Sequence, residues 1–225
     1  MKIHDLHNHT IFSYDGKNRP EEIVKNALAN GIDVVGISDH QFTIGASFMA
    51  YADAVAELKE KYSDKIEVLL GLEIGTRPAP NDFLMSHSHL LDYCLFESLD
   101  SPVAMDFFEF LEWTRLFNCP VGLAHTDIFA LGKRYGVDIL KTLSEHNIFW
   151  EINTSGNYDY YYDFLTNREK QRMVSESNII LSVGSDTHWI GDYNAEKVVS
   201  ANKLVAELGN PTVFKLYSSK YYCVD

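Results

Sequence analysis

An α/β protein with parallel strands is the fold class the chain predicts. Three observations carry that expectation. Short β-branched or aliphatic runs recur over residues 2–6, 33–38, 66–72, 92–96, 121–124, 148–152 and 179–183, and they are too continuously apolar for strands with one solvated face. Amphipathic stretches at helical spacing lie between most of them. Histidines and carboxylates then gather just past the C-terminal ends of the runs.

The helical stretches follow in order. Residues 20–30 (PEEIVKNALAN) place Pro20 in the first turn, Glu21 and Glu22 beside the positive end of the dipole, and Gly31 just beyond the end. Others are expected over 48–62, 106–117, 137–146, 166–177 and 194–208. Between the third and fourth runs, residues 76–89 read as loop. Residues 212–222 read as an extra strand covering a sheet edge or the bottom of a barrel. The tract 158–164 (YDYYYDF) is locally rich in tyrosine.

At 225 residues the chain supports one sizeable core, and nothing resembles a linker, so residues 1–225 are expected to form a single domain. A formal charge of −13 without a basic run argues against nucleic-acid and anionic-membrane surfaces, which would repel it. The cysteines at 94, 119 and 223 are odd in number and far apart, as in a protein with reduced thiols. No apolar run follows a basic N-terminus, and none reaches the roughly 18 residues a spanning helix needs. A cytoplasmic location is therefore expected.

In parallel α/β folds the loops after the strands converge on one rim, where function resides. Here the strand ends carry His7 and His9, then Asp39 and His40, Glu73, residues 97–100, His125, Asn153, and Asp186 with His188. Residues i and i+2 of extended chain point the same way, so His7 and His9 can address one ion, as can Asp186 and His188. A lone histidine is more simply a hydrogen-bonded polar residue. Imidazole and carboxylate on most strand ends instead suit zinc, manganese or iron.

The stretches DLHNHT, GISDH, GLEI, LAHT, EINTS and GSDTH resemble, in order and spacing, the motifs of the PHP (polymerase and histidinol phosphatase) family, over residues 2 to about 194. The resemblance implies a distorted (β/α)7 barrel with a metal site at the C-terminal rim, two or three divalent ions, and hydrolysis of phosphate esters. By that resemblance His7, His9, Glu73 and Asp186 are ligands of a first ion. Glu73 bridges to a second held by His125, and Asp15, His40 and His188 form a third site. Without the resemblance, Asp15 before Gly16 reads equally well as an Asx turn.

One departure concerns the second ion, for which many members carry a histidine just after the fourth strand. Here the stretch is DYCLFESLD, so Asp100 takes that place if one residue is inserted, with Glu97 as the competing carboxylate. A carboxylate there shifts preference toward manganese or magnesium. His87 and His89 precede the fourth strand and fall roughly 20 Å from the rim. His4 lies within the first strand and His146 closes a helix, so these four are left out of the site.

The resemblance implies a phosphomonoesterase of the histidinol-phosphatase type, acting on a small phosphorylated substrate. Its nucleophile would be hydroxide bridging two ions, formed because divalent metals lower the pKa of water from 15.7 toward about 7. Asp15 or His188 would protonate the leaving oxygen. Arg77, Lys133 and Arg134 are candidate phosphate clamps, and Asn153 is expected to orient substrate or a ligand. Tyr158 and Tyr160 to Tyr162 would stack a substrate ring or form a subunit contact. Two alternatives are a metallohydrolase of C–N or carboxyl ester bonds and a noncatalytic metal-binding module. The sequence leaves oligomeric state open.

Overall fold

A computed structural model describes residues 1–77 and 86–214. Eight strands are present: β1 (His4–Asp5), β2 (Val34–Ile37), β3 (Glu67–Leu70), β4 (Glu73–Ile74), β5 (Cys94–Glu97), β6 (Val121–Ala124), β7 (Phe149–Asn153) and β8 (Ile180–Gly184). Every ladder is parallel. The strands form two sheets, β1-β2-β3 and β4-β5-β6-β7-β8. The third apolar run is therefore two strands where one was expected. At the break, the Tyr51 hydroxyl lies 2.8 Å from the carbonyls of both Ile37 and Gly71. β3 then stays with β2 while β4 pairs β5.

Backbone hydrogen bonds join the sheets at both seams. Leu6 N–H donates to Val183 O at 2.9 Å on one side, and Glu73 N–H donates to Asp39 O at 3.1 Å on the other. Inside this ring lies a small apolar core to which each of the seven expected strand runs contributes: Leu6, Val34, Leu69, Leu95, Ala124, Phe149 and Ile180, with Tyr93 beside them. Tyr93 fits because Gly36 is bare. A Cβ there would come within 2.0 Å of the tyrosine oxygen, which donates to the Leu6 carbonyl. The alternate residues of the same strands, among them Val35, Val68, Phe96 and Trp150, join the larger core that includes the buried helix faces. That in-and-out alternation is the packing of a barrel-like parallel sheet.

Nine helices lie among the described residues: α1 (Pro20–Ala29), α2 (Gln41–Ile44), α3 (Phe48–Lys61), α4 (Phe107–Thr114), α5 (Ile128–Tyr135), α6 (Ile139–Glu145), α7 (Asp159–Thr166), α8 (Arg168–Ser175) and α9 (Ala195–Leu208). α1 starts as its composition dictates, with the Glu22 carboxylate accepting from Arg19 N–H at 2.7 Å. α5 and α7 occupy stretches expected as loop. Asp127 caps α5 by accepting from Phe129 and Ala130 N–H, both at 3.0 Å. α5 carries Gly132 in its interior and α7 is rich in tyrosine, residues that read weakly as helix. Most of the expected 76–89 loop (residues 78–85) lies outside the described residues.

Of the expected last strand the described residues show only an isolated parallel bridge between Thr212 and Leu181, after which the chain turns at Val213. Val213 N–H donates to Leu181 O at 3.1 Å and its side chain enters the inner core; residues 215–225 lie outside the described set. Cys94 and Cys119 are buried and form no disulfide among the described residues, and Cys223 lies outside them. No described helix is long and apolar enough to cross a membrane.

His4 is a core residue, 1% exposed, whose Nε2 accepts from Val183 N–H at 3.0 Å. Burial pushes its pKa down to about 4. The ring is thus neutral in the fold and takes up a proton on unfolding. Its contribution is whole above pH 6.5 and is lost as pH falls toward 4, a change of about 3 kcal/mol. His4→Gln, which keeps an acceptor, is expected to flatten that part of the profile in denaturant titrations at pH 7 and pH 4; parallel profiles would contradict it.

Candidate metal centre

Four short segments after strands carry five imidazoles to one end of the parallel sheets. His7 and His9 follow β1, His40 follows β2, His125 follows β6 and His188 follows β8. His125 and Asp186 hold left-handed backbone, with φ of 31° and 57°. Non-glycine residues rarely adopt that conformation, and such strain concentrates at functional sites.

Glu73 is the hub. It is 1% exposed. Oε1 lies 2.8 Å from His125 Nε2 and 3.3 Å from His7 Nε2, while Oε2 lies 2.8 Å from His40 Nδ1 and 3.4 Å from His9 Nε2. Asp186 Oδ1 adds contacts of 3.6 Å to His7 and 3.4 Å to His9. Toward the opening, Asp15 Oδ2 lies 3.4 Å from His40 and 3.2 Å from His188.

The side of each ring away from the centre is tied down. His7 Nδ1 is 2.7 Å from Glu151 Oε1, His9 Nδ1 is 3.3 Å from Ser13 Oγ, His125 Nδ1 is 2.9 Å from Ser98 Oγ, and His188 Nδ1 is 3.0 Å from the Asp186 carbonyl. Such bonds select the tautomer whose Nε2 lone pair faces inward. The Nε2 atoms of His7 and His9 are then 3.1 Å apart, lone pair to lone pair, with carboxylate oxygens around them. His40 Nδ1 and Glu73 Oε2 stand 2.8 Å apart without the geometry of a hydrogen bond, and Asp15 Oδ1 is buried without a hydrogen-bond partner. Convergent, unpartnered electron-pair donors of this kind fit divalent cations.

Four overlapping groups have ligand atoms within 4.8 Å of one another: His7, His9 and Asp186; His7, Glu73 and His125; His40, Glu73 and Glu97; and His9, Asp15, His40 and His188. With no cation, protons carry the balance. Burial alone would depress His7, but Glu151, Glu73 and Asp186 outweigh it and hold its pKa well above the ordinary value. Burial would raise Glu73, yet His7, His125 and His40 hold it well below the carboxylate range. Metal entry would displace those protons.

Several expected residues stand elsewhere. Asp100 is in none of the four groups, whereas Glu97 joins His40 and Glu73. Glu97 ends β5 itself, while Asp100 lies in the following turn, its carbonyl accepting from Arg134. That guanidinium also donates to the Ser101 carbonyl, and Arg77 donates to Ser101 Oγ, so both arginines brace this turn. Lys133 is exposed in the last turn of α5. Asn153 is fully buried, donating to Glu151 Oε2 at 3.0 Å and accepting from Ser155 N–H at 3.1 Å, which occupies both ends of its amide. Tyr158 stacks on the His125 ring, 4.7 Å between centroids and 9° between planes. It covers a ring of the protein's own site.

A model of the PHP domain matches residues 5–206. The chain belongs to the PHP domain family. It is 28% identical over 107 residues to a histidinol-phosphatase of Lactococcus lactis, covering 40% of each chain. It is 36% identical over 78 residues to an error-prone DNA polymerase of Mycobacterium bovis, covering 34% of this chain and 7% of that one. The chain therefore spans less than half the length of these curated relatives. Among solved structures, the histidinol phosphate phosphatase of Lactococcus lactis, complexed with zinc, L-histidinol and phosphate, superimposes with a TM-score of 0.65 at 16% identity. That superposition covers 94% of this chain and 95% of that one.

Within this PHP domain, Glu151 is a site residue that the strand-end pattern does not single out. It is 1% exposed, orients His7, and accepts from His125 N–H at 3.0 Å. Gly184 makes room for it: a Cβ there would sit 2.0 Å from Glu151 Oε1 and 2.5 Å from His7 Cβ. The available signal was spacing, because Glu151 and Asn153 are i and i+2 on one strand. Glu97→Ala is expected to lower the bound-metal stoichiometry or weaken one equivalent about tenfold or more, and Asp100→Ala to leave it unchanged. Elemental analysis and metal titration of both variants decide this; the reverse order of effects would contradict it.

Proposed function

We propose that this protein is a metal-dependent phosphomonoesterase that hydrolyses a small phosphorylated alcohol. The observation that carries the reading is the set of four overlapping imidazole and carboxylate groups, with buried acceptors left unpartnered among them. Family membership supports it, as does the likeness in fold to a protein whose structure holds zinc, L-histidinol and phosphate.

His7, His9, Asp186, Glu73, His125, His40 and Glu97 would hold the inner ions, and Asp15 with His188 an outer one; zinc, manganese and iron all suit this donor set. Ions held there supply Lewis acidity toward the phosphoryl oxygens and activated water at neutral pH. The protein's own part is positioning. Glu151, Ser13 and Ser98 fix ring orientation. His188, about one-third exposed at the opening, presents Nε2 to Asp15. That pair can deliver a proton to the departing alkoxide when the outer group holds no ion. A dianionic phosphate approaching a −13 chain needs local positive charge, and the described lining offers no arginine for it.

A cavity of about 250 Å³ opens beside Asp186 and His188. It is slightly smaller than the roughly 300–1,000 Å³ of sites for drug-sized ligands, so it suits a compact leaving group.

Purified protein supplied with manganese, zinc or iron is expected to hydrolyse p-nitrophenyl phosphate. His9→Ala and Asp186→Ala are each expected to lower kcat/KM by about 10³-fold or more, the scale of losing several kcal/mol of metal assistance, with unchanged circular dichroism. Wild-type rates in either variant would defeat the assignment. Turnover of amides or carboxyl esters alone would favour C–N or carboxyl ester hydrolysis, and no turnover with any metal would favour a noncatalytic module.

A further inference from the structure

The cavity beside Asp186 and His188 carries its own chemical signature. Its walls come from the loops after β7 and β8, including Thr154, Asn157, Trp189, Asp192 and Asn194. Two walls are the edge of the candidate metal centre itself, so a phosphoryl group at the ions would direct its leaving group here.

Four polar groups in this wall remain available. The Thr154 hydroxyl, the Asn157 amide and the Asp192 carboxylate make no side-chain hydrogen bond or ion pair among the described residues. Asn194 uses Oδ1 to cap α9, accepting from Lys197 N–H at 3.1 Å, which leaves its NH₂ free. Together they offer amide donors, a hydroxyl that both donates and accepts, and acceptor oxygens.

Hydroxyl groups match that mixture, because each donates once and accepts twice. An ammonium group fits less well: its three donors can meet Asp192, Asn157 Oδ1 and the Thr154 hydroxyl, but it has no acceptor for the NH₂ groups of Asn157 and Asn194, which hydroxyls do satisfy. A second phosphate fits less well again. Among the described residues no lysine or arginine lines the cavity, whereas Asp186 and Asp192 do. Two ammonium groups stand outside the lining: Lys17 Nζ lies 4.9 Å from the Trp189 ring centroid, and Lys197 Nζ lies beside Gly156, 2.8 Å from where its Cβ would be. The indole also packs on Gly191, where a Cβ would sit 2.6 Å from it, so stacking on Trp189 is not the source of selectivity.

Building on the phosphomonoesterase reading, we infer that the leaving group is a compact, uncharged polyol or sugar, held through its hydroxyls by Thr154, Asn157, Asp192 and Asn194. The preferred substrate is then a singly phosphorylated polyol or sugar, ahead of a bisphosphate, an amino-alcohol phosphate or a phosphate with a hydroxyl-poor leaving group.

The test compares kcat/KM for sorbitol 6-phosphate, glycerol 2-phosphate, fructose 1,6-bisphosphate, histidinol phosphate and p-nitrophenyl phosphate, in the metal-loaded wild type and in Asn157→Ala, Asp192→Ala and the double variant. Sorbitol 6-phosphate is expected to lead. Its kcat/KM, divided by that for p-nitrophenyl phosphate, is expected to fall about fivefold in each single variant, the worth of one hydrogen bond, and further in the double variant. A lead for the bisphosphate or for histidinol phosphate would overturn the inference, as would a ratio indifferent to both substitutions. Those outcomes leave the phosphoesterase reading standing. Absence of turnover on every ester, p-nitrophenyl phosphate included, would remove that reading and this inference together.

Discussion

The structure turns on the burial of one carboxylate. Glu73 is 1% exposed and has four imidazole nitrogens within 3.4 Å. Withdrawing a carboxylate from water costs several kcal/mol unless positive charge meets it. Without cations, protons on the histidines fulfil that need, which is why burial and the charges around it drive His7 and Glu73 apart in pKa. The surrounding polar contacts then follow. Glu151 holds His7 and His125 N–H, Asn153 holds Glu151, and Gly184 leaves the space in which Glu151 reaches His7.

The barrel makes this clustering possible at low cost in chain length. Each strand run sends at least one residue into the inner core and ends within a few residues at the same rim. Ligands distant in sequence, such as His9 and Asp186, therefore need no long loop to meet. The strain that remains is local, in the left-handed backbone of His125 and Asp186, and the parallel ladders beneath hold it in place.

Much of this was legible in the sequence because strand ends are easy to find and pairs two apart share a face. His7 with His9 followed from that rule alone; the same rule paired Asp186 with His188, which instead stand in two different groups, and the grouping of Asp15 with His40 and His188 needed the family resemblance. What was not legible depended on tertiary distance. Choosing between Glu97 and Asp100 required the exact end of β5. Arg77 and Arg134 had suitable chemistry and rim positions, yet the turn at Asp100 and Ser101 uses their donors. The break between β3 and β4 depends on the Tyr51 hydroxyl, supplied from a helix. α5 and α7 were obscured by an interior glycine and a run of tyrosines, both weak helix signals.

The central claim is that the site around Glu73 is built for divalent cations, with protons as substitutes in their absence. Anomalous diffraction from crystals grown with manganese or zinc tests it most directly. The account predicts at least two peaks on either side of Glu73, one at about 2.0–2.2 Å from the Nε2 atoms of His7 and His9. Imidazoles and carboxylates still bonded to one another, with no peak among them at saturating metal, would contradict it.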